Sequence, residues 1–310
     1  MQIDIMNKGF LLALTFALLL CGDCFAQKSK RDSNIDSLTL VIENNPEDTL
    51  KVRAYNDLTW ELKNRGKYDL SVHYGWRGIA LCKKLNDTIG LAALYSNIGV
   101  SYFRKGSYDS AEYYHKLAIS ICEILGETSR IGMGYNNLGL VNLDRGNYPL
   151  ALKYFLQRLA IKEKLGEEGG AVAALGNIGI VYNALELPDT SLKYFERALA
   201  IAIRIDDKRA ISFSNNNIGA IWFKKKQYDK ALTYFHAALK IKMEIKEGRG
   251  IAGTRANIAS VYAEQGLYEE ALVEFDSALT FYRKMGDGEG ISSTLNLKGN
   301  TLRKMKLLDE

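Results

Sequence analysis

Asn97-Ile98-Gly99 is the stretch that decides the fold, because it returns at a fixed interval along the chain. Later copies follow at steps of 40 residues, as Asn137-Leu138-Gly139, Asn177-Ile178-Gly179, Asn217-Ile218-Gly219 and Asn257-Ile258-Ala259. A second mark follows the same frame, at Lys105-Gly106-Ser107-Tyr108, Arg145-Gly146-Asn147-Tyr148, Lys225-Lys226-Gln227-Tyr228 and Gln265-Gly266-Leu267-Tyr268, and Leu187-Pro188 fills the equivalent position of the middle repeat. A period of this length without insertions indicates an array of stacked structural repeats.

Each 40-residue unit has the pattern of two amphipathic helices. In the unit that contains Gly99, we predict a first helix from about Thr88 to Lys105, whose apolar and aromatic residues follow the 3-4 spacing of one helical face. Gly106 ends this helix, and the second helix begins near Tyr108. The apolar face of the second helix is formed by Ala111, His115 and Ala118, with Phe155, Phe195, Phe235 and Phe275 at the His115 position of later units.

Small residues also recur at fixed positions. One column is Ala111, Ala151, Ser191, Ala231 and Ala271, and the other is Gly99, Gly139, Gly179, Gly219 and Ala259. A glycine inside a helix destabilises it by about 1 kcal/mol relative to alanine, so its recurrence needs a packing reason. We therefore expect close backbone contact between the two helices of each unit.

The composition agrees with an all-α protein and argues against nucleic-acid binding. The 310 residues include only 3 prolines, whereas sandwiches and barrels need turn residues more often. The 41 basic and 36 acidic side chains give a net charge of +5, and no block of Lys and Arg is dense enough to follow a phosphate backbone. Nucleic acid is not expected as a partner of these residues.

The repeated residues resemble a known signature. Tyr95, Ile98, Gly99, Tyr102, Ala111 and Ala118, with the Phe column, resemble the tetratricopeptide (TPR) pattern W-x2-L-G-x2-Y followed by Ala, Phe and Ala. The 40-residue unit resembles the longer repeats of kinesin light chains and of bacterial regulators. The resemblance covers residues 50–310, and it implies a right-handed α-solenoid of TPR helix pairs that binds other polypeptides.

Three segments are expected along the chain. Residues 1–26 read as a signal peptide, because Lys8 precedes a short apolar run and Ala26 supplies the small residue before a cleavage point. Residues 27–49 read as a linker and a capping helix, and residues 50–310 as about six full TPR units followed by a half unit. The mature protein is then expected outside the cytoplasm, in the periplasm. A lipoprotein acylated at Cys21 or Cys24 and an uncleaved anchor are the alternatives.

Catalytic, cofactor and metal sites are not expected. His73, His115 and His236 lie on different units, and none has a second His or Cys at ligand spacing. No nucleotide-binding, hydrolase or zinc motif occurs in the chain. Cys82 and Cys122 hold the same position in successive units, which places them too far apart for a disulfide.

The expected contact surface lies on the first helices. In TPR arrays these helices line the concave side, and the residues three before, one after and four after the Gly mark share that face. The predicted partner-binding residues are Val100, Phe103, Asn136, Leu140, Leu143, Ile180, Asn183, Asn216 and Phe223, and the same rule adds Ser96, Gly176, Ala220, Ala256, Ser260 and Ala263. A mostly apolar face with scattered amides suits a partner helix or peptide. The competing interpretation is packing between neighbouring first helices.

Two features of this face qualify the expectation. Asn97, Asn137, Asn177, Asn217 and Asn257 form an adjacent column, for which a structural role is favoured over ligand contact. Arg104 and Lys224 are the basic residues that we place near the face, so the carboxylate-clamp form of TPR and the binding of acidic C-terminal tails are disfavoured.

The leading functional prediction is an exported, non-enzymatic scaffold that binds a peptide or protein in its concave groove. The alternative is an extracytoplasmic input module of a longer signalling protein, since the pattern resembles the N-terminal TPR region of bacterial sensor histidine kinases and helix-turn-helix regulators. The sequence stops after a first-type helix, where each earlier unit continues into its second helix. We expect either a longer polypeptide, with contact to the membrane only through its missing region, or a helix that docks elsewhere.

Overall fold

The computed structural model describes residues 34–309, with side chains through residue 306. The predicted signal peptide, its cleavage point at Ala26 and residues 27–33 of the predicted linker lie outside the described residues, as does Glu310. Every regular element of the described range is an α-helix, which confirms the all-α repeat solenoid. None of these helices combines the length and the apolar character needed to cross a membrane.

The chain divides into two compact units, the first ending at Val141 and the second starting at Asn142. The described part of unit 1 contains α1 (34–44), α2 (Thr49–Asn64), α3 (Tyr68–Leu85), α4 (Thr88–Arg104), α5 (Tyr108–Leu125) and most of α6 (Thr128–Asp144). Unit 2 contains the last residues of α6, then α7 (Tyr148–Lys164), α8 (Glu168–Ala184), α9 (Pro188–Arg204), α10 (Lys208–Lys224), α11 (Tyr228–Glu244), α12 (Gly248–Glu264), α13 (Tyr268–Met285) and α14 (Gly288–Asp309). Even-numbered helices from α2 onward are the first helices of the repeats, and odd-numbered helices from α3 onward are the second helices.

The helix ends follow from local sequence. Asp87 and Asp207 precede α4 and α10, and their carboxylates accept hydrogen bonds from the backbone N–H groups three residues later, at 2.8 and 3.0 Å. These caps satisfy donors that have no partner inside the helix. After α4 the chain turns at Gly106, whose φ of +75° is a left-handed conformation that glycine adopts without strain.

In two repeats of unit 2, a glycine on the first helix packs against an aromatic ring on the second helix. A Cβ atom on Gly179 would lie 2.8 Å from the ring of Phe195, and one on Gly219 would lie 2.8 Å from Cδ1 of Phe235. Both rings are almost fully buried. The predicted close contact is present, and its partner is a ring rather than the backbone of the second helix. We call this contact the glycine–ring lock.

The first repeat exchanges the sizes of the two residues. Thr59 occupies the position of Gly99, one period earlier, and Gly75 occupies the position of His115. Thr59 is fully buried, and its Cγ2 lies 3.6 Å from the place where a Cβ on Gly75 would stand. In this repeat the larger residue, Thr59, is on the first helix and the smaller, Gly75, is on the second helix. The pair therefore still packs closely.

The second repeat fills the ring position with a histidine. His115 is 1% exposed, and its Nδ1 atom is buried without a hydrogen-bond partner among the described residues. Burial, with a smaller contribution from the charge of Lys63, lowers the pKa of His115 to about 4. The imidazole is therefore neutral at physiological pH and acts as a ring that packs on Gly99.

The last described helix lacks the lock. A Cβ on Gly299 would have no atom within 4 Å, and the flanking Leu295 and Leu302 are 46% and 39% exposed. In the second repeat the equivalent residues, Tyr95 and Tyr102, stack on Tyr114 of the second helix at 5.9 and 5.4 Å between ring centroids. Among the described residues, none covers this face of α14.

The lock predicts opposite effects of one substitution at two equivalent positions. Gly219→Ala should lower stability by about 1–3 kcal/mol, because the new methyl group overlaps the Phe235 ring. Gly299→Ala should raise stability by up to about 1 kcal/mol, because alanine favours the helix and the site is open. Urea denaturation followed by circular dichroism measures both. Equal gains for the two variants would show that the ring does not restrict the first helix.

Because burial lowers the pKa of His115, we predict that the protein loses stability in acid. The unfolded state takes up a proton as the pH falls below 6.5, whereas folded His115 resists protonation until about pH 4. Stability should therefore fall by up to about 3 kcal/mol across this window. In His115→Phe this contribution should be absent, while a change at the exposed His236, in His236→Gln, should leave the wild-type profile. Urea midpoints across the pH range test this, and the same profile for wild type and His115→Phe would contradict it.

Candidate functional site

The predicted contact residues lie on the first helices at equivalent positions, and we call them the first-helix strip. In unit 1 the strip has Val100 and Phe103 on α4 and Asn136 and Leu140 on α6, and in unit 2 it has Leu143 at the end of α6, Ile180 and Asn183 on α8, and Asn216 and Phe223 on α10. All nine side chains are half-buried. Each therefore contacts protein on one side and keeps surface available to a ligand on the other.

Aromatic side chains hold the C-terminal end of the strip in the same way in both units. The ring of Phe103 lies 6.1 Å from that of Tyr108, tilted by 47°, and Phe223 has the same distance and angle to Tyr228. Each tyrosine is the first residue of the following second helix. The repeat geometry therefore presents a partly exposed phenylalanine where one helix ends and the next begins.

Two of the predicted amides are engaged by neighbouring helices of unit 2. Asn216 Oδ1 accepts hydrogen bonds from Thr254 Oγ1 at 3.0 Å and from Asn257 Nδ2 at 3.4 Å. Asn183 Oδ1 accepts one from Lys224 Nζ at 3.0 Å. These contacts join successive first helices. Part of the strip is therefore used for packing between neighbouring first helices, which was the competing interpretation of these residues.

The asparagine column makes similar structural contacts. Asn97 Nδ2 donates to Asn56 Oδ1 at 2.8 Å, which joins α4 to α2. Asn217 Nδ2 donates to the backbone carbonyl of Phe213 within its own helix, at 2.9 Å. These bonds favour the structural role for the column.

A cleft of about 530 Å³ opens in unit 2 beside the strip. Phe223, Ser260, Ala263, Asn300 and Arg303 line it, and all five hold strip positions on α10, α12 and α14. Its walls also include Phe275 and Leu297. The strip positions therefore line a concavity within unit 2, whose wall combines apolar side chains with the charged side chains of Glu264, Arg303 and Lys304.

The strip has a first member on α2 that was not predicted from the sequence. Counting from Thr59, the rule gives Asn56, Trp60 and Lys63 on α2. Trp60 is 51% exposed, and Lys63 Nζ lies 5.9 Å from the centroid of its ring. Thr59 lies one 40-residue period before Gly99. Because it is not a glycine, the repeat signature was not recognised at this position.

The two cysteines of the described residues are in environments that disfavour nucleophilic or metal-binding chemistry. Cys82 and Cys122 are free and buried, and burial raises the pKa of the Cys82 thiol to about 12 and that of Cys122 above its usual value. A thiol must lose its proton to act as a nucleophile or metal ligand. Within residues 34–309, no cluster of His, Cys, Asp and Glu is placed to hold a metal ion.

Comparisons with known proteins agree on the repeat. The model of the tetratricopeptide repeat family matches residues 90–164, 170–244 and 211–284. No curated protein sequence matches the chain significantly.

Solved structures match the fold at low sequence identity. BtubC (BKLC) from P. vanneervenii has a TM-score of 0.63 at 19% identity, covering 71% of this chain and 92% of its own. The apo form of RapI has a TM-score of 0.66 at 15% identity, covering 84% and 95%. A Rap protein complexed with Competence and Sporulation Factor has a TM-score of 0.61 at 16% identity, covering 87% and 80%. Identities this low establish similarity of fold alone.

Proposed function

This chain belongs to the tetratricopeptide repeat family, and we propose that it is a non-enzymatic scaffold that binds a peptide or protein segment along the first-helix strip. The observation that carries the proposal is the cleft of unit 2, where strip positions of three first helices line one concavity. Its volume of about 530 Å³ lies within the range of small-ligand pockets, so it suits a few side chains of a peptide.

The chemistry of the strip supports a peptide ligand. Half-buried apolar side chains such as Val100, Ile180 and Phe223 offer surface to apolar side chains of a partner. Neighbouring amides offer hydrogen bonds to a backbone, and the combination matches known modes of peptide recognition. The similar Rap protein that was crystallised with Competence and Sporulation Factor supports a binding role for this fold.

A non-enzymatic role is supported by the environments of the reactive groups. His115 is buried, neutral and packed on Gly99, and Cys82 is a buried thiol whose pKa is raised to about 12. Neither group is able to act as a base or nucleophile at neutral pH without a rearrangement of the core.

The strip predicts a specific loss of binding. A peptide is first selected for binding to the wild-type chain. Phe223→Asp should lower the affinity for this peptide by about 10- to 100-fold, because it places a charge on an apolar part of the cleft wall. The matched control is Val273→Asp on α13, a side chain that is 67% exposed and outside the strip. Fluorescence anisotropy with the selected peptide gives the affinities, and circular dichroism checks helicity. Equal affinity of Phe223→Asp and Val273→Asp would remove the assignment of the strip.

We also propose export, with the periplasm as the location, on the basis of the signal-peptide pattern of residues 1–26. The input module of a longer signalling protein is the second candidate function. The uncovered apolar face of α14 favours it, because Leu295 and Leu302 offer a docking surface to a helix of an output domain.

One experiment separates these proposals. An antibody raised against the chain should detect, in fractions of the native cells, a periplasmic product with the mass of residues 27–310. A much heavier product in the membrane fraction would select the signalling module instead. A cytoplasmic product that retains residues 1–26 would contradict export.

A further inference from the structure

Ser214 of unit 2 carries a buried hydroxyl group that has no partner. The residue lies on α10 and is 1% exposed, and its Oγ atom has no hydrogen-bond partner among the described residues. An unpaired polar group in the interior lowers the stability of a fold, and most buried polar groups in proteins are paired. The next repeat shows which partners a hydroxyl at this position can have.

The equivalent hydroxyl of the next repeat has two partners. Thr254 holds the position of Ser214 one 40-residue period later, and it is fully buried. Its Oγ1 atom accepts a hydrogen bond from Lys242 Nζ at 2.9 Å and donates one to Asn216 Oδ1 at 3.0 Å. Asn257 Nδ2 is a second donor to the same amide oxygen, at 3.4 Å. The fold therefore accommodates a carboxamide group beside this hydroxyl.

Neither partner is present around Ser214. Ala202 stands where the next repeat has Lys242, and Gly176 stands where it has Asn216. The hydroxyl therefore lacks both a cation that donates to it and a carboxamide that accepts from it. The carboxamide would belong to a position of the first-helix strip, which is the surface that we propose for a ligand.

The ring of Phe213 lies over this glycine. Its Cε1 atom is 3.1 Å from the place where a Cβ on Gly176 would stand. The ring also lies 6.3 Å from that of Phe195, centroid to centroid, and Phe213 is 44% exposed. Asn217, the second donor by equivalence, donates to the backbone carbonyl of Phe213 at 2.9 Å. A partly exposed side chain changes rotamer readily, so this ring is able to give access to Gly176.

We propose that the strip of unit 2 receives a carboxamide side chain, Asn or Gln, of the partner peptide at Gly176. The ring of Phe213 turns aside, and the amide oxygen accepts a hydrogen bond from Ser214 Oγ. The inference rests on the proposed function, because the carboxamide belongs to the bound peptide. A neutral group fits best, because Ala202 stands in place of the lysine and a carboxylate would be buried without a cation.

A display selection with random short peptides tests the site on the full chain. Wild type should enrich peptides that share an Asn or Gln at one position. In Ser214→Ala this enrichment should fall about tenfold, while the apolar residues of the same peptides are still selected. The matched control is Ser212→Ala on the same helix. Its hydroxyl is equally buried but already donates to the backbone carbonyl of Arg209 at 2.9 Å, so the control should keep the preference.

Thermal unfolding shows whether the hydroxyl of Ser214 is unpaired in the free protein. The midpoint of Ser214→Ala should equal or exceed that of wild type, because the substitution removes no hydrogen bond. The midpoint of Ser212→Ala should be lower than that of wild type. A lower midpoint for Ser214→Ala as well would show that its hydroxyl has a partner in the free protein, and would overturn the proposal.

A further variant fills the site from the chain itself. Gly176→Asn places the carboxamide of Asn216 at the equivalent position, where it should bond to Ser214. The Asn and Gln preference should then be lost as in Ser214→Ala. Retention of the full preference in Gly176→Asn would contradict the assignment.

Synthetic forms of one selected peptide measure the pairing directly. The forms carry the selected Asn or Gln, the matching Asp or Glu, or Ala at that position. Either change should weaken binding to wild type by about tenfold in fluorescence anisotropy. The change to alanine should weaken binding to Ser214→Ala by less than about twofold, because the partner of the carboxamide is then absent.

The outcomes separate this inference from the proposed function. Enrichment of peptides without a shared Asn or Gln, or the same preference in wild type and Ser214→Ala, would overturn the carboxamide site and leave the scaffold standing. Enrichment of Asp or Glu in place of the amides would do the same. Failure of wild type to enrich any peptide above a control resin would overturn the scaffold and the carboxamide site together.

Discussion

A glycine on the first helix that receives an aromatic ring from the second helix determines how closely the two helices of a repeat approach. At Gly179 and Gly219 the rings of Phe195 and Phe235 occupy the space that a side chain would need. The contact removes the ring from water almost completely, and burial of an aromatic side chain stabilises a fold by about 1.5–3 kcal/mol. The contact therefore fixes how closely the first and second helices approach in these two repeats.

The lock also decides which face of the first helix remains for binding. The face that carries the glycine is covered by the second helix, so ligands have access to the adjacent face. On that face, polar residues such as Asn183 and Asn216 hydrogen-bond to the next first helix. Apolar residues of the same face, such as Ile180 and Phe223, are half-buried. The proposed binding surface therefore combines amides that join successive first helices with apolar side chains that this stacking leaves half-buried.

Much of the architecture could be predicted from periodicity. The first helix expected from Thr88 to Lys105 is observed from Thr88 to Arg104, because its cap and its terminating glycine are local signals. The glycine column correctly predicted close contact, but periodicity gives only the position of a residue on its helix. It did not show that the ring of the second helix fills the space above the glycine.

The candidate site was less accessible to sequence reasoning. Spacing placed nine residues on one face, but whether an amide there bonds to a neighbour depends on the distance between helices, as it does for Asn216. Trp60 and Lys63 were not predicted as members of the strip, because Thr59 stands where most other repeats have a glycine. That replacement is compensated by Gly75 on the second helix, a coupling between distant positions that becomes visible only when the two helices are packed together.

Site-specific photo-crosslinking in native cells tests most directly whether the first-helix strip is the surface that grips a partner. A photoreactive residue at Val100 or Phe223 should form an adduct with a polypeptide, whereas one at Val273, which is 67% exposed on a second helix, should not. Exposure alone would favour Val273, so this pattern would reflect the strip itself. Adducts at Val273 as abundant as those at the strip positions would contradict the account.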